Sequence, residues 1–257
     1  DGFFFCQNAK IGRMTVDGKK IAEDIVAGLG SALHGKRLGI VVGTPDSATD
    51  SFIKIKSRVA GRLGVEVVRG ELEELLKTCD GVIVQLPIPD SEALLAALPP
   101  EKDVDALGLA PMVAPPVAGA IAEVLSRSGV DPRGKSAVVV GSGRLVGAPA
   151  AKLLRGLGAD VSVITQTHGS LSELAGADIV VLGAGEPGLI KPAMLKQGVI
   201  LIDAGTSEQG GKLAGDADPS CAEVCSVFTP VPGGIGPIAV AMIFKNLFTL
   251  VKKNSGQ

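Results

Sequence analysis

Short apolar runs alternate with segments of helical periodicity through the first part of the chain. Apolar side chains recur every three or four positions over residues 21–33, which predicts an amphipathic helix. The run at 37–43 is mostly apolar and ends at a glycine, which predicts a buried strand, and residues 44–47 have the composition of a turn. By the same criteria we expect helices at 51–63, 71–77 and 92–98 and strands at 65–68 and 81–86. Such alternation is typical of a parallel α/β sheet.

Prolines at 115 and 116 interrupt this alternation, and a second α/β unit follows them. It is predicted to hold a helix at 117–127 and strands at 136–141, 160–164, 179–182, 199–202 and 226–228. We therefore expect two domains, one of residues 14–116 and one of residues 117–237. The apolar residues from 238 onward predict a final helix. We join this segment, 238–257, to the first domain, although the pattern alone does not show where it packs.

The first residues, 1–13, are left out of the fold prediction. Their apolar stretch is too short for the hydrophobic region of a signal sequence, and Met14 has the character of a natural start. We treat the segment as an extension or a cloning remnant.

Composition argues against several classes of function. The chain has 257 residues, of which 46% are hydrophobic and 20% charged, enough to build a sizeable core. A net charge of −2 without a long basic run argues against nucleic acid or an anionic membrane as a partner, and we expect no apolar run of membrane-spanning length. Four cysteines without a CxxC pair, and two histidines, predict reduced thiols, no metal site and a cytoplasmic location.

A stretch rich in proline and glycine, residues 229–237, precedes the final apolar segment. Proline restricts φ and glycine permits unusual backbone angles, so we expect a rigid loop without regular helix or strand. A stiff loop with bare backbone at a helix N-terminus suits close approach to a flat polar ligand. A tight connection between two elements is the alternative interpretation.

The segment at 138–149 reads as a strand, a glycine-rich turn and the start of a helix. Gly141, Gly143 and Gly147 give the spacing G-x-G-x-x-x-G, one residue longer than the common dinucleotide fingerprint. Bare backbone N–H groups at a helix N-terminus can approach a pyrophosphate. This context favours a Rossmann-like nucleotide-binding domain over a purely structural turn.

The next predicted strand ends at Ile164 and is followed by Thr165 and Gln166. NAD sites usually carry an acidic residue here, which binds the ribose hydroxyls. Its absence, together with Arg144 near the phosphate turn, favours NADP, with NAD possible. Arg144 as a solvated charge at a helix end is the alternative.

Polar residues in the first half form a second candidate site. Phe52 and Lys56 are four residues apart, so they share a face of the predicted helix. Gln85 ends a predicted strand, where open α/β sheets bind ligands, and Asp103 and Asp105 precede the domain boundary. Each has an ordinary alternative: a surface lysine, a glutamine that ties a loop, or aspartates that cap turns.

Five segments in order resemble the bifunctional methylenetetrahydrofolate dehydrogenase/methenyltetrahydrofolate cyclohydrolase family. Residues 51–56, 85–89, 100–105, 141–149 and 230–237 resemble its Y-x-x-x-K, Q-L-P-L-P, P-x-K-D-V-D-G, G-R-S-x-x-V-G-x-P and P-V-P-G-G-V-G-P motifs. The resemblance runs from about Val16 to about Lys252, nearly the whole chain.

The resemblance implies roles for individual residues. Lys56 would be central to the cyclohydrolase step, Gln85 would hydrogen-bond it and help keep it neutral, and Asp105 would anchor the pterin. Phe52 would stack on the folate. The cleft between the domains, which would bind the folate, would also be lined by Pro232, Gly233 and Gly234. The implied cofactor contacts are Gly141, Ser142, Gly143, Arg144, Val146, Gly147, Thr165 and Gln166.

Several positions depart from the family motifs. Phe52 stands in the tyrosine position and lacks the hydroxyl group, which puts the cyclohydrolase rate in question. Ser142 and Gly143 replace the family's Arg-Ser, so the usual 2′-phosphate contact is missing. Ala106 replaces a glycine. The segments at 164–168 and 114–119 are degenerate versions of C-H-S-x-T and P-C-T-P-x-G.

The implied function is oxidation of 5,10-methylenetetrahydrofolate with NADP, followed by hydrolysis of the methenyl product to 10-formyltetrahydrofolate. The family also implies a homodimer. A monofunctional dehydrogenase and a non-catalytic nucleotide-binding protein are the alternatives that the sequence leaves open.

Overall fold

The computed structural model describes residues 13–43, 47–209 and 212–256. The chain divides into two compact units. Residues 21–116 and 239–256 form the three-strand unit, and residues 13–20 and 117–238 form the six-strand unit. Helices α1 (Gly18–Leu29) and α7 (Ile235–Asn254) each contribute several residues to both units.

The three-strand unit is a parallel sheet with helices between its strands, as the alternating pattern predicted. Its sheet has the order β3-β2-β4. Along the chain the elements are β2 (Arg37–Val42), α2 (Ser47–Leu63), β3 (Glu66–Arg69), α3 (Leu72–Thr78), β4 (Gly81–Gln85) and α4 (Ser91–Ala97). Strands β2 and β4 are buried on both faces, which explains why they read as mostly apolar runs, whereas the edge strand β3 is partly exposed.

The six-strand unit is a doubly wound parallel sheet of order β1-β11-β8-β7-β5-β6. Its elements are β1 (Met14–Thr15), α5 (Pro116–Arg127), β5 (Ser136–Val140), α6 (Gly147–Gly156), β6 (Asp160–Ile164), β7 (Ile179–Leu182), β8 (Val199–Asp203) and β11 (Cys225–Thr229). After β5, the chain forms β6 on one side of β5 and then β7 on its other side. This reversal creates a crevice at the carboxyl ends of the strands, where such sheets bind ligands.

Two small elements were not predicted. A short antiparallel hairpin joins β9 (Ser207–Gln209) to β10 (Lys212–Ala214). Strand β1 has two residues and pairs with β11, so residues 14–20 belong to the six-strand unit and not to the domain of residues 14–116. A strand of two residues is too short to show an apolar periodicity. The position of β1 therefore depends on its pairing with the edge of the six-strand sheet.

Three helices have bounds that differ from the prediction by more than one residue. Helix α1 ends at Leu29 rather than residue 33, because Gly30 adopts a φ of 54° and turns the chain. Helix α2 begins at Ser47, within the predicted turn. Helix α7 begins at Ile235, inside the loop that we expected to hold no helix. Pro237 lies in its first turn, where a backbone N–H has no helical partner, so proline is tolerated.

Helix α7 is long and apolar enough to cross a membrane by length and composition alone, which corrects the expectation that no apolar run has this length. Half of its apolar window is buried inside the protein. Phe244 and Leu247 are fully buried, and the Nδ2 of Asn246 donates to the carbonyl oxygens of Val104 at 2.8 Å and Ala114 at 2.9 Å. These contacts are those of a core helix of a folded domain.

Candidate functional site

Lys56 and Gln85 meet in the three-strand unit. Lys56 lies on α2, and only 8% of it is exposed. Its Nζ donates a hydrogen bond to Oε1 of Gln85, the last residue of β4, at 2.6 Å. The Nε2 of Gln85 donates to the carbonyl oxygen of Leu86 at 3.0 Å, which orients the amide with its oxygen towards the lysine. The structure therefore brings together two residues that are far apart in the sequence.

Burial shifts the pKa values of Lys56 and Asp105. Burial lowers the pKa of Lys56, and the negative charge of Asp105 opposes that shift. In the half-buried Asp105, burial raises the carboxyl pKa, the charge of Lys56 lowers it, and Asp103 raises it. A lysine with a lowered pKa is neutral in a larger fraction of molecules near neutral pH, so its nitrogen can accept a proton.

Asp103 has a different role from Asp105. It is fully buried, and its Oδ2 accepts the backbone N–H of Gly108 at 2.7 Å. Its Oδ1 has no hydrogen-bond partner within the described residues, and burial raises its carboxyl pKa although nearby backbone N–H groups lower it. Asp103 therefore holds the turn that presents Asp105, in line with the turn-capping alternative for this one residue.

Ala106, next to Asp105, has a φ of 55°, in the left-handed region that disfavours a residue with a Cβ atom. It is buried, so the strained turn is enclosed by the surrounding protein. The family motif has glycine at this position. Ala106 thus places a methyl group in a backbone conformation that favours glycine.

Replacing Ala106 by glycine should raise the free energy of unfolding by about 0.5–1 kcal/mol, because relief of the left-handed strain outweighs the larger entropy of the unfolded chain. Urea unfolding measures the change. The control is Ala93→Gly, in the exposed face of α4, which should lower stability by about 1 kcal/mol. Equal losses in both variants would contradict the left-handed conformation of Ala106.

Phe52 belongs to α2, four residues before Lys56, but its side chain lies outside the described residues. Its stacking role stays a prediction.

The segment from Pro230 to Gly234 forms a tight loop in the six-strand unit. The Val231–Pro232 peptide bond is cis, and the N–H of Gly234 donates to the carbonyl oxygen of Pro230 at 2.7 Å. A Cβ atom on Gly234 would collide with that oxygen at 2.6 Å, so the turn admits no side chain there. Pro232 is exposed and Gly233 half-buried, which leaves the outer edge of the loop available to a ligand.

The glycine turn after β5 is packed against the turn after β7. Gly141 has a φ of 100°, and a Cβ atom on it would collide with the carbonyl oxygen of Gly183 and lie 3.1 Å from the nitrogen of Ala184. A Cβ atom on Gly147 would collide with the carbonyl oxygen of Gly141. Gly143, by contrast, has open space at its Cβ position. This backbone cradle suits the pyrophosphate of a dinucleotide.

The remaining predicted cofactor residues border this cradle or follow β6. Ser142, Gly143 and Arg144 are exposed, as is Gln166. Thr165 closes a turn by donating its N–H to the carbonyl oxygen of His168 at 2.8 Å. Val146 fills the space beside Gly183, where its side chain would collide with an added Cβ atom.

The family model for the tetrahydrofolate dehydrogenase/cyclohydrolase NAD(P)-binding domain matches residues 115–255, more than half of the chain. The chain belongs to this family. The resemblance found in the motifs is thereby confirmed, and so is the α/β fold with a dinucleotide-binding domain. The matched region includes the glycine cradle and the loop at 230–234, the two features of the six-strand unit that are described above.

Relatives in the tetrahydrofolate dehydrogenase/cyclohydrolase family match almost the full length. The bifunctional protein FolD of Staphylococcus aureus strain Newman is 32% identical across 94% of this chain and 97% of its own length. The NADP and inhibitor complex of the Trypanosoma brucei enzyme is 30% identical, with a TM-score of 0.85 over 95% of this chain and 99% of its own. The Campylobacter jejuni bifunctional enzyme is 27% identical, with a TM-score of 0.87 over 94% and 99%.

Two buried aspartates, Asp203 and Asp216, were not among the site residues predicted from the sequence. They are 1% and 0% exposed and lie at the carboxyl edge of the six-strand sheet. A carboxylate that directly follows the apolar run of β8 is a signal that could have been noticed, because buried acidic residues are uncommon.

Proposed function

We propose that this protein oxidises 5,10-methylenetetrahydrofolate with NADP and hydrolyses the methenyl product to 10-formyltetrahydrofolate. The Trypanosoma brucei relative, 30% identical over nearly the whole chain, carries both activities in its name, and the Staphylococcus aureus relative, 32% identical, is named a bifunctional protein. Within the chain, the observation that supports hydrolysis best is the buried Lys56, whose Nζ donates to Gln85 and whose pKa is lowered.

For the oxidation, the residues present fit a dinucleotide. The cradle of Gly141, Gly143 and Gly147 would take the pyrophosphate, and an added Cβ atom at its first or last position would collide with the backbone that shapes it. When bound, the nicotinamide supplies hydride acceptance. The protein would bind and orient the substrate: Asp105 would accept hydrogen bonds from the pterin amino and ring N–H groups.

For the hydrolysis, the chain itself supplies the proton acceptor. With its N–H directed at Oε1 of Gln85, a neutral Lys56 has a free lone pair on Nζ. Water adds to the methenyl carbon, one of its protons passes to Nζ, and that proton then goes to the ring nitrogen as its bond to carbon breaks. The products are 10-formyltetrahydrofolate and one proton released to solvent, so atoms and charge balance.

The choice of NADP over NAD is supported by two features. No acidic residue follows β6 at Thr165 and Gln166, so nothing there would repel a 2′-phosphate. Arg144 is an exposed cation next to the phosphate cradle and would replace the arginine of the family motif. Gly143, which stands in the place of a polar residue, gives this contact room.

We further propose a homodimer in the cytoplasm, on the resemblance to the family and on the composition of the chain. Sedimentation velocity measures the assembly, and a monomer at all micromolar concentrations would contradict it. Fractionation of cells measures the location.

The deciding experiment follows reduced nicotinamide formation from 5,10-methylenetetrahydrofolate, with NADP and NAD in parallel, and then the decay of the methenyl absorbance. We expect turnover with NADP and measurable hydrolysis. Activity with NAD alone would reverse the cofactor proposal. Oxidation without hydrolysis would favour a monofunctional dehydrogenase, which the Phe52 substitution makes a specific rival. No turnover despite nucleotide binding would leave a non-catalytic protein.

A further inference from the structure

Two carboxylates are buried together at the carboxyl edge of the six-strand sheet. Asp203 ends β8; its Oδ1 accepts the N–H of Gly205 at 3.0 Å and its Oδ2 the N–H of Ala217 at 2.8 Å. Asp216 lies close enough for its charge to act on Asp203. Gly205 and Gly215 pack directly on the two carboxylates, because an added Cβ atom on either would collide with one of them.

Asp216 holds one surface turn from below. Its Oδ2 accepts the N–H groups of Ala184 at 2.7 Å and Gly185 at 3.1 Å, and its Oδ1 accepts the N–H of Glu186 at 2.8 Å. These three residues form the exposed turn after β7. A side chain that accepts three backbone N–H groups of one turn fixes the path of that turn.

The same turn touches the nucleotide cradle. The carbonyl group of Gly183 and the nitrogen of Ala184 occupy the space that a Cβ atom on Gly141, the first glycine of the cradle, would need. A shift of the turn would therefore shift or open the cradle. The turn after β7 contacts both the Asp216 carboxylate and Gly141. The carboxylate can therefore affect the cradle through this turn.

Asp203 extends the connection to the loop at 230–234. Its backbone N–H donates to Oγ1 of Thr229 at 2.7 Å, and that hydroxyl donates back to the carbonyl oxygen of Asp203 at 3.3 Å. An added Cβ atom on Gly215 would come within 2.9 Å of Val231 Cβ as well as colliding with Asp203. The pair thus contacts the turn after β7, the turn after β8 and the last residue of β11, next to the loop at 230–234.

Stability alone does not account for such a pair. Burial raises the pKa of Asp203 to about 6, with the charge of Asp216 adding to the shift and backbone N–H groups opposing it. Because this folded-state pKa lies above that of an unfolded aspartate, the contribution to stability is lost as pH rises through about 6. At neutral pH the ionised group opposes folding, and such groups concentrate at functional sites.

We propose that Asp203 and Asp216 are positioning residues for the nicotinamide nucleotide, which hold the turns around the glycine cradle in the arrangement that binds it. The inference rests on the proposed dehydrogenase function. It assigns a task to two residues outside the motifs of the family resemblance. Neither carboxylate touches the nucleotide in this proposal; each acts through the backbone it holds.

The test compares Asp216→Asn and Asp203→Asn with a matched control. The control is Asp178→Asn: Asp178 also binds backbone, accepting the N–H of Ser136 at 3.1 Å, but just before β7 at the amino edge of the same sheet. For each variant, calorimetry measures NADP affinity, dehydrogenase assays measure KM and kcat, and thermal unfolding measures stability.

We expect Asp216→Asn and Asp203→Asn to raise the NADP dissociation constant and KM about tenfold or more, with little change in kcat. Asp178→Asn should leave both constants unchanged even if it lowers the melting temperature. If all three variants bound NADP with the affinity of the wild type, and only their melting temperatures changed, the inference would be overturned.

A surface variant covers the case in which the buried substitutions prevent folding. The Oγ of Ser207 donates to the carbonyl oxygen of Gly185 at 2.8 Å and ties the same turn from the exposed side. Ser207→Ala should weaken NADP binding by about two- to fivefold without affecting folding, and unchanged affinity there would also contradict the inference. A wild-type protein that binds NADP but oxidises no substrate would instead refute the proposed function.

Discussion

Replacing Lys56 by alanine should lower the rate of methenyltetrahydrofolate hydrolysis by about 10²–10⁴-fold, because the variant loses the group that takes a proton from water. Dehydrogenase activity should fall by only a few-fold, since the hydride acceptor belongs to the nucleotide. The two rates are measured separately, one from reduced nicotinamide formation and the other from the decay of added methenyl substrate.

The control for this variant is Lys54→Ala on the same helix, where the side chain is exposed. It removes a lysine of α2 without touching the Gln85 pair and should leave both rates unchanged. Equal loss of oxidation and hydrolysis in Lys56→Ala would contradict the division of roles.

The pH dependence of hydrolysis gives the same assignment an independent check. Burial lowers the pKa of Lys56, so the active neutral form should accumulate as pH rises and the rate should level off below the ordinary lysine value of 10.5. A rate that still rises through that value would mean that Lys56 is not the titrating base.

Replacing Gly141 by alanine should abolish most NADP binding and lower the free energy of unfolding by about 2–4 kcal/mol. The backbone at φ 100° is unfavourable for any residue with a Cβ atom, and the added methyl group would collide with the carbonyl oxygen of Gly183. Calorimetric titration with NADP and thermal unfolding measure the two effects.

The control is Gly143→Ala in the same turn, where the Cβ position is open. It should leave stability nearly unchanged and affect only contacts with the bound nucleotide. Hydrolysis by Gly141→Ala should persist, because Lys56 and Gln85 belong to the other unit. If both glycine variants bound NADP as the wild type does, the cradle would not be the nucleotide site.

Much of the fold could be predicted because buried parallel strands and amphipathic helices differ in their apolar periodicity. Apart from β1, the strands of both parallel sheets and most of the helices follow from this pattern alone, and the glycine turn follows from its position between β5 and α6. The candidate residues Lys56 and Gln85 came from motif resemblance and strand position, and the fold brings them to 2.6 Å.

The features that could not be predicted depend on contacts between distant segments. Strand β1 has two residues and exists only because β11 offers a free edge. Helix α7 starts within a proline- and glycine-rich segment because a helical first turn needs no N–H from Pro237. The left-handed conformation of Ala106 contradicts local preference and is held by the enclosing turn.

Local pattern and motif order thus establish the α/β class, the nucleotide turn and the family of this chain, since each depends on residues close together in sequence. The ionisation of Lys56, Asp105 and Asp203 depends instead on burial and on charges brought near by folding. Desolvation is a property of the packed interior, and the chain acquires it only when segments separated by tens of residues come into contact.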